Sequence, residues 1–99
     1  MFVKGSITLT KGFARWKKMV HENESKMKEM GMTMVFAGTE AFDDTKLHVI
    51  MHFNSPEGLQ KFKDDAELTK AREEAGAVVE SGIMTPITPE AFTNFPGSV

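Results

Sequence analysis

Residues 46–53 read Lys46-Leu47-His48-Val49-Ile50-Met51-His52-Phe53. Taken at period two, Leu47, Val49, Met51 and Phe53 make one wholly apolar face. Lys46, His48, Ile50 and His52 make a mixed, titratable one. This alternation marks a β-strand with a dry side and a wetter side. The dry side demands a cover of other apolar elements, which constrains the architecture. What the wetter side faces is the functional question.

The flanking segments supply the cover. Phe2 to Leu9 alternates in the same way, with Val3, Ile7 and Leu9 beside Gly5 on one face and Phe2, Lys4, Ser6 and Thr8 on the other, and predicts a first strand. Between Gly12 and Met30, Phe13, Trp16, Val20, Met27 and Met30 recur at helical spacing, predicting one helix with a solvated Lys/Glu side. Gly31 is its stop. Trp16 is the only tryptophan, and its place in the stripe makes it a core anchor before a ligand-stacking ring. Met32 to Thr39 reads as a second strand, and residues 40–45 as a hairpin loop longer than the tight two-residue kind.

After the third strand, Ser55 is a plausible N-cap and Pro56 suits the first helical position, while Gly58 is a weak spot. Asp65 can cap a second piece from Ala66 to Ala75, ended by Gly76. Two short helices, or one kinked helix, follow. Ala77 to Ile87 predicts strand four, with Gly82 at a bulge or close approach that leaves the facing of Glu80 and Met84 open. Pro86 and Pro89 should end regular pairing, and residues 88–92 suit one helical turn. Phe92 and Phe95 should pack on this subunit or on a partner.

The order β-α-β-β-α-β implies an α+β, ferredoxin-like fold: a four-stranded antiparallel sheet in order 4-1-3-2, with both helices on one face. Strands one and three are central and are read as parallel neighbours. Residues 1–88 form a single domain and 89–99 a C-terminal tail; 99 residues suffice for one core.

Several function classes drop out. There are no cysteines, hence no disulfide or thiolate ligand, and residues 1–6 carry no signal-peptide pattern, which together predict a cytoplasmic protein. For the same reason Asn23-Glu24-Ser25 reads as a chance glycosylation match. No apolar run approaches the ~20 residues of a membrane helix. A net charge of −2 gives no electrostatic reason to expect nucleic acid. RNA-recognition domains share this element order, but they display aromatic rings on the strand that here shows Lys46, His48, Ile50 and His52. His48 and His52 lie about 13 Å apart along a strand, whereas two nitrogens on one zinc are at most ~4 Å apart, so no metal is expected. No phosphate-cradling glycine spacing occurs, and no cofactor is expected.

The uncovered face gathers the candidate site. Lys4, Ser6 and Thr8 stand beside His48, Ile50 and His52, and strand two adds either Met34 and Phe36 or Val35 and Ala37, the former pair preferred. The surface is too apolar to stay wet and too polar for a plain core; the simplest lid is a second copy related by two-fold symmetry. Lys4, Thr8, Met34, Phe36, Ile50 and His52 are the candidate ligand-binding residues. His48, next to the Ser6 hydroxyl, is the candidate general base, with Glu80 the carboxylate that could orient it. The same pair could equally satisfy each other inside a dimer interface, the commoner arrangement. Met34 and Met84 could line a cavity, although gap-filling is the usual role of methionine.

Four motifs carry a family resemblance: Phe13-x-x-Trp16-Lys17, Met30-Gly31, Ser55-Pro56-Glu57, and Asp65-Ala66-Glu67-Leu68-x-x-Ala71-Arg72-x-x-Ala75-Gly76. With these the chain resembles the dimeric α+β barrel superfamily, which includes antibiotic-biosynthesis-monooxygenase-like proteins, and looks like a bacterial branch of it. The resemblance implies a homodimer in which the bare sheet faces meet and enclose a barrel holding a small molecule. Catalytic residues do not carry over. Haem-degrading and quinone-forming members use tryptophan, asparagine and histidine or arginine at set places, and strand three here has no tryptophan. Cyclase-like members use tyrosine, which this chain lacks.

Two functions follow. One is a homodimer binding a small, partly apolar molecule, with cofactor-independent monooxygenase-, isomerase- or cyclase-type chemistry. The other is a non-catalytic dimeric interaction or stress-related module whose barrel is filled by its own side chains.

Overall fold

A computed structural model describes residues 1–96. The elements run β1 (Phe2–Leu9), α1 (Phe13–Glu22), α2 (Glu24–Glu29), β2 (Met32–Glu40), β3 (Asp43–Phe53), α3 (Pro56–Asp64), α4 (Ala66–Glu74) and β4 (Ala77–Ile87). The sheet order is β2-β3-β1-β4 with every neighbouring pair antiparallel. This is the ferredoxin-like arrangement expected, with one correction: β1 and β3 are antiparallel neighbours. The α1–α2 crossover returns β2 in the direction of β1, and the β2–β3 hairpin then reverses the chain.

The dry faces meet as expected. Val3 and Leu9 of β1 and Leu47, Val49, Met51 and Phe53 of β3 are buried with Trp16, Met19, Met27, Leu59, Phe62 and Leu68 of the helices. Each such large side chain contributes about 1.5–3 kcal/mol by leaving water.

The first helical region is two helices rather than one. Asn23 separates them, with its side-chain amide donating to the Met19 carbonyl at 2.8 Å. An amide that competes for the backbone of the preceding turn bends the helix there. In the second region Ser55 accepts from the Gly58 N–H, Asp65 accepts from the Leu68 N–H at 2.8 Å, and Gly76 has φ +96°.

Three local expectations need correction. The β2–β3 connection is only Ala41-Phe42, closed by the pair Glu40↔Asp43. Pro86 lies inside β4, opposite Val3, because β4 is an edge strand and proline's missing N–H costs no ladder bond on the open side. Residues 88–92 form no helical turn; so short a segment cannot repay helix nucleation without packing, and Phe92 is fully exposed. Of the expected tail, residues 97–99 lie outside the described residues.

Two irregularities shape the sheet. In β2 the pairing shifts between Met34↔Met51 and Phe36↔Ile50, leaving Val35 as an extra residue. In β4 it shifts between Val78↔Thr8 and Ile83↔Ser6, so residues 79–82 stand opposite Ile7 alone. Ser81 repairs part of that gap: its hydroxyl accepts the Thr8 N–H at 3.0 Å and donates to the Val78 carbonyl at 2.6 Å.

Candidate functional site

The bulge at Val35 decides which β2 side chains reach which face. One extra residue inverts the alternation. Met32 and Met34 point into the core before it, and Phe36 turns to the uncovered face after it. Met34 therefore does not sit beside Phe36 as expected; it packs against the core. Lys4, Ser6, Thr8, His48, Ile50, His52 and Phe36 do share the uncovered face, where Ser6 pairs with His48, Lys4 with Ile50, and Phe36 with Ile50. Strand four adds Ile83, opposite Ser6, Thr85, opposite Lys4, and Ile87, opposite Phe2, while Met84 turns to the core. Phe36 is 54% exposed and Ile83 64% exposed on this face.

His48 has a carboxylate partner, and it is Glu40. The His48 Nε2 lies 2.7 Å from the Glu40 Oε2. Glu40 is brought there by the tight hairpin, where residues 44–46 of β3 have no partner in β2. Glu80, the carboxylate expected from sequence, lies in the irregular part of β4. Ser6, Thr8, Lys46, Ser81 and Ile83 border the same open groove as the Glu40–His48 pair. A histidine held by a carboxylate and facing a cross-strand serine can accept a proton, since the carboxylate stabilises the imidazolium that results.

His52 is less available. Its ring packs against Phe2 at 5.1 Å between centroids and against Phe95 of the tail at 4.8 Å. Its Nε2 lies 3.3 Å from the Met1 amine. Burial disfavours the charged imidazolium, and the nearby ammonium repels it, so the His52 pKa is lowered from its ordinary value. Phe95 thus packs on this subunit, whereas Phe92 is fully exposed.

A smaller, mostly apolar space lies on the helix side of the sheet. A cavity of about 50 Å³ opens between the helices and β1, β3 and β4. Six of the eight methionines line it: Met19, Met27, Met32, Met34, Met51 and Met84. Gly5 forms part of the floor; a Cβ there would stand 2.8 Å from the Val49 Cγ2. Trp16 also lines it, so the core anchor is a cavity wall as well.

Arg72 is the one charged residue in that lining. Its guanidinium lies 5.0 Å from the centre of the Phe62 ring, a cation–π contact. It forms no ion pair among the described residues, and burial lowers its pKa from the ordinary value, with Glu73 acting the other way. Arg72 was not singled out from the sequence. The signal was its position four residues after the buried Leu68, on the same helix face.

Among the described residues, no three His, Asp or Glu side chains stand close enough to hold a metal ion, and no helix is long and apolar enough to cross a membrane.

Two of the solved structures that resemble this one are antibiotic-biosynthesis-monooxygenase-like. A candidate antibiotic biosynthesis monooxygenase from Nitrosomonas europaea aligns with a TM-score of 0.56 over 88% of this chain and 98% of its own, at 13% identity. Another from Deinococcus radiodurans aligns with a TM-score of 0.60 over 94% of this chain and 97% of its own, at 12% identity. The chain shares the fold of antibiotic-biosynthesis-monooxygenase-like proteins. No family model matches it, and no curated protein matches its sequence. At such identities the likeness concerns fold, and function has to be argued from the site.

Proposed function

We propose that this protein is a homodimer that binds a small, partly apolar molecule in the methionine-lined cavity of each subunit. The observation that carries the reading is the convergence of six methionines and Trp16 on space the core leaves unfilled. A core packed for stability alone leaves few voids. Methionine is the side chain that can reshape such a space around a guest, because it is unbranched and has three rotatable bonds. The cavity of about 50 Å³ is smaller than an ordinary ligand pocket of roughly 300–1,000 Å³, so the guest enters as those side chains move aside. The dimer is supported by Phe36, Ile83 and Ile87 on the uncovered face, which are sheltered if a second copy packs there. The cytoplasmic assignment rests on the absence of cysteine.

The test is a native mass spectrum of protein purified from a close host. The reading predicts the mass of two chains with a reproducible small excess. Two chains with no excess, together with no shift of Trp16 emission on adding small apolar molecules, favour the self-filled module instead. A single-chain mass at micromolar concentration sinks the dimer.

A second reading concerns chemistry, and the Glu40–His48 contact at 2.7 Å favours it. In it, His48 removes a proton from an activated methylene, and Ser6 hydrogen-bonds the substrate. The carbanion then reacts with dioxygen: R₂CH₂ + O₂ gives R₂C=O + H₂O, with the substrate supplying all four electrons that reduce dioxygen. This is monooxygenase-type chemistry that needs no cofactor; the two structural neighbours are named as antibiotic biosynthesis monooxygenases. Oxygen uptake with a 1,3-diketone tests it. Uptake should fall at least tenfold in His48→Ala and less in Glu40→Gln; equal uptake in His48→Ala removes His48 from the mechanism.

A further inference from the structure

We propose that the cavity selects an anionic amphiphile, with a carboxylate or similar charged head seated on Arg72 and a slender apolar body among the methionines, and that it enters between α3–α4 and the irregular part of β4. This rests on the reading that the cavity binds a small molecule; it adds the class of molecule and the way in.

The doorway is defined by shared walls. Arg72, Gly82 and Met84 line the methionine-rich cavity, and the same three line an open groove on the surface with Lys63, Thr69 and Val79. The two spaces therefore meet at one guanidinium, one flexible thioether and one residue without a side chain. The gap exists because residues 79–82 face Ile7 alone, so the strand bows away from regular pairing at Gly82. A Cβ on Gly82 would stand 3.1 Å from the Val79 carbonyl oxygen and 3.4 Å from the Ile7 Cδ1, filling the place where the strand opens.

The charged residues that line this doorway are basic, with Glu73 and Glu80 nearby but outside the linings. The groove adds Lys63 to Arg72, and neither lining contains a carboxylate. That is notable in a chain whose net charge is −2. Arg72 is held by the Phe62 ring but paired with no acid among the described residues, and a part-buried cation without a counter-ion is held at a cost. A carboxylate presented to the guanidinium would form charge-assisted hydrogen bonds in a partly dry setting, where they are strong. Behind Arg72 the walls are methionine, tryptophan and aliphatic side chains, which reject a second polar group. An anionic head with an apolar tail matches both ends. A neutral alcohol of the same shape matches only one.

Trp16 is the only tryptophan and lines the cavity, so its emission reports filling directly. The experiment titrates the full chain with octanoate and, separately, with 1-octanol. The proposal predicts that octanoate saturates the Trp16 signal at a concentration at least tenfold below octanol. Arg72→Gln should abolish that advantage while leaving octanol binding in place, and Arg72→Lys should keep part of it. Lys63→Gln should weaken octanoate less than Arg72→Gln does. If Arg72→Gln does not fold, the octanoate-to-octanol ratio in the natural chain and in Arg72→Lys decides. Equal saturation by the two probes, or an Arg72→Gln protein that binds octanoate as before, overturns the anionic preference and leaves the small-molecule reading standing. No response to either probe, in Trp16 emission or in methionine methyl NMR signals, overturns both.

Discussion

The carbonyl oxygen of Met30 lies so close to the backbone of Gly58 that a Cβ on residue 58 would stand 2.3 Å from it. Gly58 therefore does not weaken α3, as its helix propensity suggests; its bareness lets the end of α2 meet the start of α3. Placing alanine at a glycine in an open helix gains up to about 1 kcal/mol. Here Gly58→Ala should instead cost about 1–3 kcal/mol, the usual penalty for forcing atoms into a packed site. Urea unfolding measures it, and a midpoint at or above that of the natural chain would show that the two backbones can separate freely.

Asp65 connects helices that are distant in sequence. It accepts the Leu68 N–H at 2.8 Å and pairs with Lys26 of α2 at 3.0 Å. The backbone hydrogen bond first, then the lysine, lower its pKa from the ordinary value. A carboxylate whose folded pKa is depressed lends stability that is present above the unfolded pKa, near ~4, and lost as pH falls through the folded value. Asp65→Asn keeps a capping oxygen and removes the charge. Its melting temperature should lie below that of the natural chain at neutral pH, and the two should converge in the acid range. A constant gap across the titration would show that the charge contributes nothing.

His52 works in the same direction at a higher pH. Its folded pKa is lowered by burial against Phe2 and Phe95 and by the Met1 ammonium. The unfolded chain therefore takes up the proton first, near ~6.5. Stability should fall as pH drops through that value and level off once the folded pKa is passed. His52→Phe should remove this step and keep the aromatic packing. Melting curves across that pH range decide it; an unchanged step in His52→Phe would assign the dependence elsewhere.

Much of this fold is legible in the sequence because it depends on neighbours along the chain. The alternation in β1 and β3 and the caps at Ser55 and Asp65 are local patterns with local causes. What could not be read depends on register. Val35 looks like any β-former, yet its insertion sends Met34 inward and Phe36 outward. Glu40 meets His48 only because the hairpin closes tightly and three residues of β3 have no partner in β2. Each methionine is visible alone, but their convergence from α1, α2, β2, β3 and β4 is a property of the packed sheet. Of the two irregularities in the sheet, Gly82 marks the one in β4, while nothing in the periodicity announces the one at Val35.

Ile83 offers the sharpest test of assembly. It stands opposite Ser6 on the uncovered face and is 64% exposed, so within one subunit it contributes little to folding. A stable two-fold interface buries about 800 Å² per partner, and the sheet face is where this chain shows Phe36, Ile83 and Ile87. Ile83→Lys would place one ammonium from each subunit in that interface, where two-fold symmetry repeats it. A desolvated lysine without a counter-ion is costly. The variant should therefore sediment as a monomer with native circular dichroism, while the natural chain sediments as a dimer. Dimers of Ile83→Lys would move the interface off the sheet, and a monomeric natural chain would leave the uncovered face without a second copy to shelter it.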